Sequence, residues 1–132
     1  MSHSLFCYGT LMAPEVMRRV INREVTPGIP AVLSGYACYQ IRDAWFPGLR
    51  AQQDTQTEGI LYTGLSDTAL AALDQYEGYL YSRSKLTVTT RESENELAWC
   101  YLLKTQHLDQ LTQIEWDFNR FRQALKRSGY SR

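Results

Sequence analysis

The sequence predicts a mixed α+β domain: a small β-barrel or strongly curved sheet with flanking helices. Two observations lead there. Segments with strand character outnumber helical ones, and the connections between strands are mostly short. A third bounds the domain: the 132 residues contain no internal repeat, low-complexity tract or linker, so one domain is expected over residues 1–132. Periodicity alone does not decide between an open sheet and a barrel.

The elements follow in order. Leu5-Phe6-Cys7-Tyr8 is an apolar and aromatic run closed by Gly9, and reads as a buried strand that begins the fold. Pro14 suits a first helical turn, and Val16, Met17, Val20 and Ile21 give residues 14–22 an apolar helical face. Pro27-Gly28 and Pro30 break the chain. Residues 31–41 are rich in β-formers, with an irregularity expected at Gly35. Trp45-Phe46-Pro47-Gly48 is an aromatic turn, followed by two short strands over residues 49–53 and 58–63.

Ser66 is placed to cap a helix whose apolar face is Ala69, Leu70, Ala72, Leu73 and Tyr76, with Gly78 as a left-handed terminator. Residues 81–90 alternate as a strand, with Leu86 and Val88 on one face and Tyr81, Arg83 and Lys85 on the other. After the charged turn at 91–95, residues 97–103 form another strand. Residues 108–126 are helical by pattern, with Trp116, Phe118, Phe121 and Leu125 as the apolar set.

Composition narrows the function. Fourteen basic residues balance fourteen acidic ones, so net charge offers no reason to expect nucleic acid or an anionic membrane as partner. A small substrate fits better. No apolar run is long enough to span a bilayer, and the first residues, Met1-Ser2-His3-Ser4, carry no secretory signature. The three cysteines, Cys7, Cys38 and Cys100, are odd in number and widely spaced, which argues against a disulfide framework or zinc knuckle and for a cytoplasmic location. His3 and His107 offer no metal-ligand spacing. Phosphate-binding, dinucleotide, serine-hydrolase, zincin and calcium-loop signatures are all missing, which removes most cofactor-driven chemistry. Cys7 with His3 as thiol and base fails on distance: four residues of extended strand separate them by roughly 13 Å.

Two constellations remain. In Phe6-Cys7-Tyr8-Gly9-Thr10-Leu11 a strand runs into a glycine and then a small hydroxyl residue. Such a turn lets the backbone come close to a ligand and present N–H groups to an anion. An ordinary strand exit would read the same. In Leu73-Asp74-Gln75-Tyr76-Glu77-Gly78, Glu77 ends a helix, where a carboxylate is disfavoured, and Tyr76, Tyr79 and Tyr81 stand ready to desolvate it. Both effects raise a carboxyl pKa towards neutrality. A solvated surface glutamate beside a helix-ending glycine is the other reading.

Taken together, the two segments resemble the gamma-glutamylcyclotransferase-like family. Phe6 to Leu11 matches its aromatic-x-Tyr-Gly-Thr-Leu opening, and residues 73–78 with Tyr81-x-Arg83 match its Leu-Asp-x-aromatic-Glu-Gly and Tyr-x-Arg segments. Phe46-Pro47-Gly48, Gly59-Ile60-Leu61-Tyr62 and Trp99-Cys100-Tyr101 resemble further family elements, so the likeness spans most of residues 4–103. It is nearest to the gamma-glutamylamine and plant avirulence-induced branch. The resemblance implies a small barrel with a cavity at one end. It also implies release of 5-oxoproline from a gamma-glutamyl compound, with neither cofactor nor metal. It assigns Glu77 as the catalytic acid and base, and Tyr8, Gly9, Thr10, Leu11 and Tyr81 to the substrate. Arg83 is left between a substrate and a structural role.

The chemistry agrees with the residues. A gamma-glutamyl substrate carries its own nucleophile, the α-amine, so the protein must hold the chain folded and move protons. A binding module on the same scaffold, without turnover, is the alternative.

Overall fold

The computed structural model describes residues 2–127. Six strands carry the fold: β1 (His3–Cys7), β2 (Ile29–Ile41), β3 (Pro47–Leu65), β4 (Tyr81–Thr90), β5 (Asn95–Leu103) and β6 (Leu111–Glu115). The helices are α1 (Pro14–Ile21), α2 (Asp67–Glu77) and α3 (Phe118–Arg127). Short 3-10 turns lie at Thr10–Met12, Gly78–Leu80 and Thr105–Gln110. The sheet order is β3-β1-β5-β4-β2-β6, and β2 also pairs with β3. That last pairing closes β3, β1, β5, β4 and β2 into a five-stranded barrel, which periodicity had left undecided. Only β1 and β5 run parallel; the other pairs are antiparallel.

β1 is central because its residues are apolar on both faces. Phe6 points into a cluster with Ala31, Leu33, Leu49, Leu61, Val88, Ala98 and Cys100. All five barrel strands contribute to this cluster, so it fills the barrel. Leu5 and Cys7, on the other face, belong to a second cluster with Met17 of α1, Leu70 and Leu73 of α2, and Phe121 of α3. The helices therefore pack on the outside of one wall.

Several elements follow their sequence signals. Ser66 caps α2, its hydroxyl accepting the Ala69 amide at 3.1 Å. Gly35 has φ +86°, and the β2–β3 register shifts between Ser34 and Tyr36.

Others differ. The two short strands expected over 49–53 and 58–63 are one strand, β3. Its polar centre has no apolar alternation to announce it, but the chain stays paired with β2. The register passes from Ser34↔Gln56 to Tyr36↔Ala51, so residues 52–55 bulge out. The helix expected over 108–126 begins only at Phe118. Residues 111–115 pair with the edge of β2, at Tyr39↔Glu115 and Ile41↔Leu111. There the unpaired groups of an edge strand outweigh a weak helical pattern. Asp117 then starts α3, its carboxylate accepting the Asn119 amide at 2.9 Å. Gly78 has the expected positive φ (75°), but its ψ of −160° is not left-handed helical.

Candidate active site

The site forms where β1 leaves the barrel. The chain passes through Tyr8 and Gly9 into the 3-10 turn at Thr10–Met12, closed by Met12 N–H to Gly9 O and Ala13 N–H to Thr10 O. The amides of Thr10 and Leu11, first in the turn, donate to no carbonyl among the described residues. Gly9 has a packing reason: a Cβ there would lie 3.1 Å from Cδ and Cγ of Pro47. The loop therefore sits directly against the tip of the β2–β3 hairpin. From the other side Tyr62 donates its hydroxyl to Leu11 O at 3.1 Å, and Thr10 Oγ1 meets the Tyr76 hydroxyl at 2.9 Å.

Glu77 arrives from the end of α2, and an ion pair fixes that end. Arg83 of β4 grips Asp74 with two bonds, Nε at 2.7 Å and Nη2 at 3.0 Å. Tyr101 donates to the same carboxylate at 2.7 Å. The guanidinium lies 4.3 Å from the ring centre of Trp99. Arg83 beside Asp74 holds that carboxyl below its ordinary range and offsets the unfavourable C-terminal end of the helix. The role of Arg83, open in the sequence, is thus structural: it braces α2 against β4 and β5.

Loop and helix end share one cavity of about 170 Å³. Tyr8, Gly9, Thr10, Leu11, Glu77 and Tyr81 all line it, together with Trp45, Phe46, Pro47, Tyr76 and Tyr101. Among the described residues no lysine or arginine does. Burial in this aromatic surround lifts the Glu77 carboxyl from its ordinary 4.5 to about 7, and among the described residues no nearby charge or hydrogen bond offsets that burial. Burial, and then the charge of Glu77, push up the Cys7 thiol and the Tyr81 hydroxyl. At neutral pH both groups are therefore protonated, and Glu77 is poised between its two states.

Not every expectation survives in detail. Tyr79 does not line the cavity: it is 74% exposed and its ring meets His107 edge-on. It sits on the 3-10 turn after α2, which carries it outward. The hydroxyls of Tyr8 and Tyr81 are already committed as donors, to Tyr101 O at 2.6 Å and to Pro47 O at 2.5 Å. Neither hydroxyl therefore has a hydrogen left to donate to a ligand. Trp45, Phe46, Pro47, Tyr101 and the Asp74–Arg83 brace were not assigned to the site from sequence. One signal was available: aromatic residues in a hairpin tip, where solvent-facing polar residues are usual.

The profile of the gamma-glutamyl cyclotransferase, AIG2-like family matches residues 5–118. The chain belongs to this family. Among its relatives in the family, AIG2-like protein C of Arabidopsis thaliana is 30% identical over 123 residues, covering 92% of this chain and 70% of that protein. A solution structure of an Arabidopsis thaliana protein superposes with a TM-score of 0.78 at 28% identity, over 98% of this chain and 78% of the other. A solved gamma-glutamyl cyclotransferase shares the fold, with a TM-score of 0.71 at 16% identity over 79% and 68% of the two chains. In this member of the cyclotransferase family, no helix among the described residues is long and apolar enough to cross a membrane.

The hydroxyl of Tyr81 offers a local test. Tyr81→Phe leaves Pro47 O without its donor, and is expected to cost about 1–2 kcal/mol. The domain should still fold, with a lowered denaturant midpoint. Activity should fall with it, because the hairpin tip that bounds the cavity loses its tie to β4. Unchanged stability would show that the hydroxyl contributes nothing to the frame.

Proposed function

We propose that this protein is a cytoplasmic gamma-glutamyl cyclotransferase, releasing 5-oxoproline and an amine from a small gamma-glutamyl compound. The observation that carries the reading is the Glu77 carboxyl lining the same cavity as the uncommitted Thr10 and Leu11 amides, where burial pushes it up to about 7. Three unpaired cysteines fit a reducing compartment.

The geometry supports the following mechanism. The amides of Thr10 and Leu11 take an anionic oxygen of the substrate, its α-carboxylate, and support charge on the reacting carbonyl. The chain of the substrate is folded so that the α-amine faces its own γ-carbonyl. Glu77, ionised, removes a proton from the ammonium. The freed amine attacks the γ-carbon, a C–N bond forms, and a tetrahedral centre results. Glu77 returns its proton to the departing nitrogen as the tetrahedral centre collapses and the bond to that nitrogen breaks; the ring nitrogen then gives up its second proton through the same carboxylate to the departing amine, which leaves as its ammonium form. The lactam and the amine leave, with no net change in Glu77. A carboxyl near 7 suits both halves, being basic enough to accept and acidic enough to donate.

The test is 5-oxoproline release from a panel of gamma-glutamyl amides, run beside analogues lacking the α-carboxylate. The carboxylate-free analogues should be poor substrates. Equal turnover of the two sets would remove the anion role of the Thr10 loop. Since the base must be ionised, kcat/KM should fall with unit slope as pH drops below about 7. Binding without release of 5-oxoproline from any compound would mean a ligand-holding scaffold rather than an enzyme.

A further inference from the structure

A second concavity adjoins the first. It is an open groove of about 620 Å³ between α1, α3 and the hairpin tip, with Val16, Trp45, Tyr76, Trp116, Phe121 and Leu125 among its walls. Trp45 and Tyr76 also line the Glu77 cavity, so the two spaces share a boundary. Trp45 is 63% exposed, yet it is ordered: its ring stacks on Phe121 at 5.7 Å and 6°, and Trp116 donates to its carbonyl at 3.0 Å. A tryptophan held flat and open to solvent leaves apolar surface available to another flat or apolar group. The charged groups here are Glu115, Asp117 and Arg120, and the Asp117 carboxylate is engaged at the start of α3.

We propose that this groove is the subsite for the departing amine, and that it selects gamma-glutamyl amides whose amine carries an aromatic or long apolar group. The inference rests on the cyclotransferase reading for where the scissile amide lies. With the glutamyl part in the small cavity by Glu77, the group across the amide passes the Trp45–Tyr76 boundary. Ammonia or methylamine as leaving group would leave the groove empty. Each methylene buried there strengthens binding roughly fourfold, and a ring on Trp45 adds to that.

The experiment measures binding, by calorimetry, to the Glu77→Gln protein, which does not consume the ligand. The probes are gamma-glutamylbenzylamide and gamma-glutamylmethylamide. The benzylamide should bind at least about tenfold more tightly. Ala124 is exposed on α3 and lines the groove but not the cavity. Adding Ala124→Arg should abolish the preference while leaving methylamide affinity within about twofold. Trp45→Ala, as an independent arm, should also abolish the preference. Equal affinities in the parent, or a preference surviving both changes, would overturn the proposal. Wild-type turnover is read separately. A benzyl preference without 5-oxoproline release rejects the enzyme reading and keeps the groove. Release without a preference does the reverse.

Discussion

Glu77→Gln is expected to lower 5-oxoproline release by about 10²–10⁴-fold, the usual worth of a positioned acid–base group. The amide keeps the size of the carboxyl and its capacity to hydrogen-bond, but takes no proton from the substrate ammonium. Binding should persist, because the Thr10 and Leu11 amides belong to another element. Stability should move the opposite way, and with a definite pH dependence. The carboxyl titrates near 4.5 in the unfolded chain and near 7 when folded. Well below pH 4.5 both forms are protonated, and the burial of Glu77 carries no ionisation cost. Between 4.5 and 7 the unfolded chain ionises first, so the wild-type protein loses stability as pH rises, by up to on the order of 3 kcal/mol. Glutamine removes this loss. The variant should therefore match the wild type near pH 4 and exceed it at pH 8. Single-turnover assays and denaturant melts at both pH values check this. Near-normal release by the variant would mean another group moves the proton, and a variant less stable at pH 8 would mean the carboxylate is held by favourable contacts.

Gly59→Ala is expected to cost about 3 kcal/mol, lowering Tm by about 10 °C. An added Cβ would stand 2.3 Å from the carbonyl oxygen of Cys7 and 2.7 Å from Cζ of Phe6. The first neighbour is backbone in the central strand, so no rotamer change relieves it. β1 and β3 must separate instead. Cys7 immediately precedes the Tyr8–Leu11 segment, so the loss should reach the site, and activity of the folded fraction should fall as well. Thermal melts and 5-oxoproline release read the two effects. A Tm within about 2 °C of wild type would show that the strands tolerate the methyl. The geometry also accounts for the Gly59-Ile60-Leu61-Tyr62 segment: its glycine admits β1, and its tyrosine holds the Leu11 carbonyl.

The sequence by itself determined a good deal. The run Leu5 to Tyr8, apolar at every position, marked a strand buried on both faces, and Ser66 marked the start of α2. Glu77 stood out because a carboxyl at a helix end among tyrosines has few ways to be comfortable while charged. These are local signals: they depend on the chemistry of neighbours a few residues apart. Tertiary structure alone decided the rest. Closure of the barrel depends on β2 meeting β3 on both sides of the bulge at residues 52–55, in a polar stretch with no alternation to reveal it. β6 exists because β2 offers an open edge, although its own residues fit a helix as well. Arg83 pairs with Asp74 rather than with a ligand because α2 packs against β4 and β5, and Trp45 joins the cavity because the hairpin tip folds over Gly9. Each of these outcomes is set by contacts between distant segments, where backbone pairing and the burial of shared surface outweigh the weak preferences of the residues themselves.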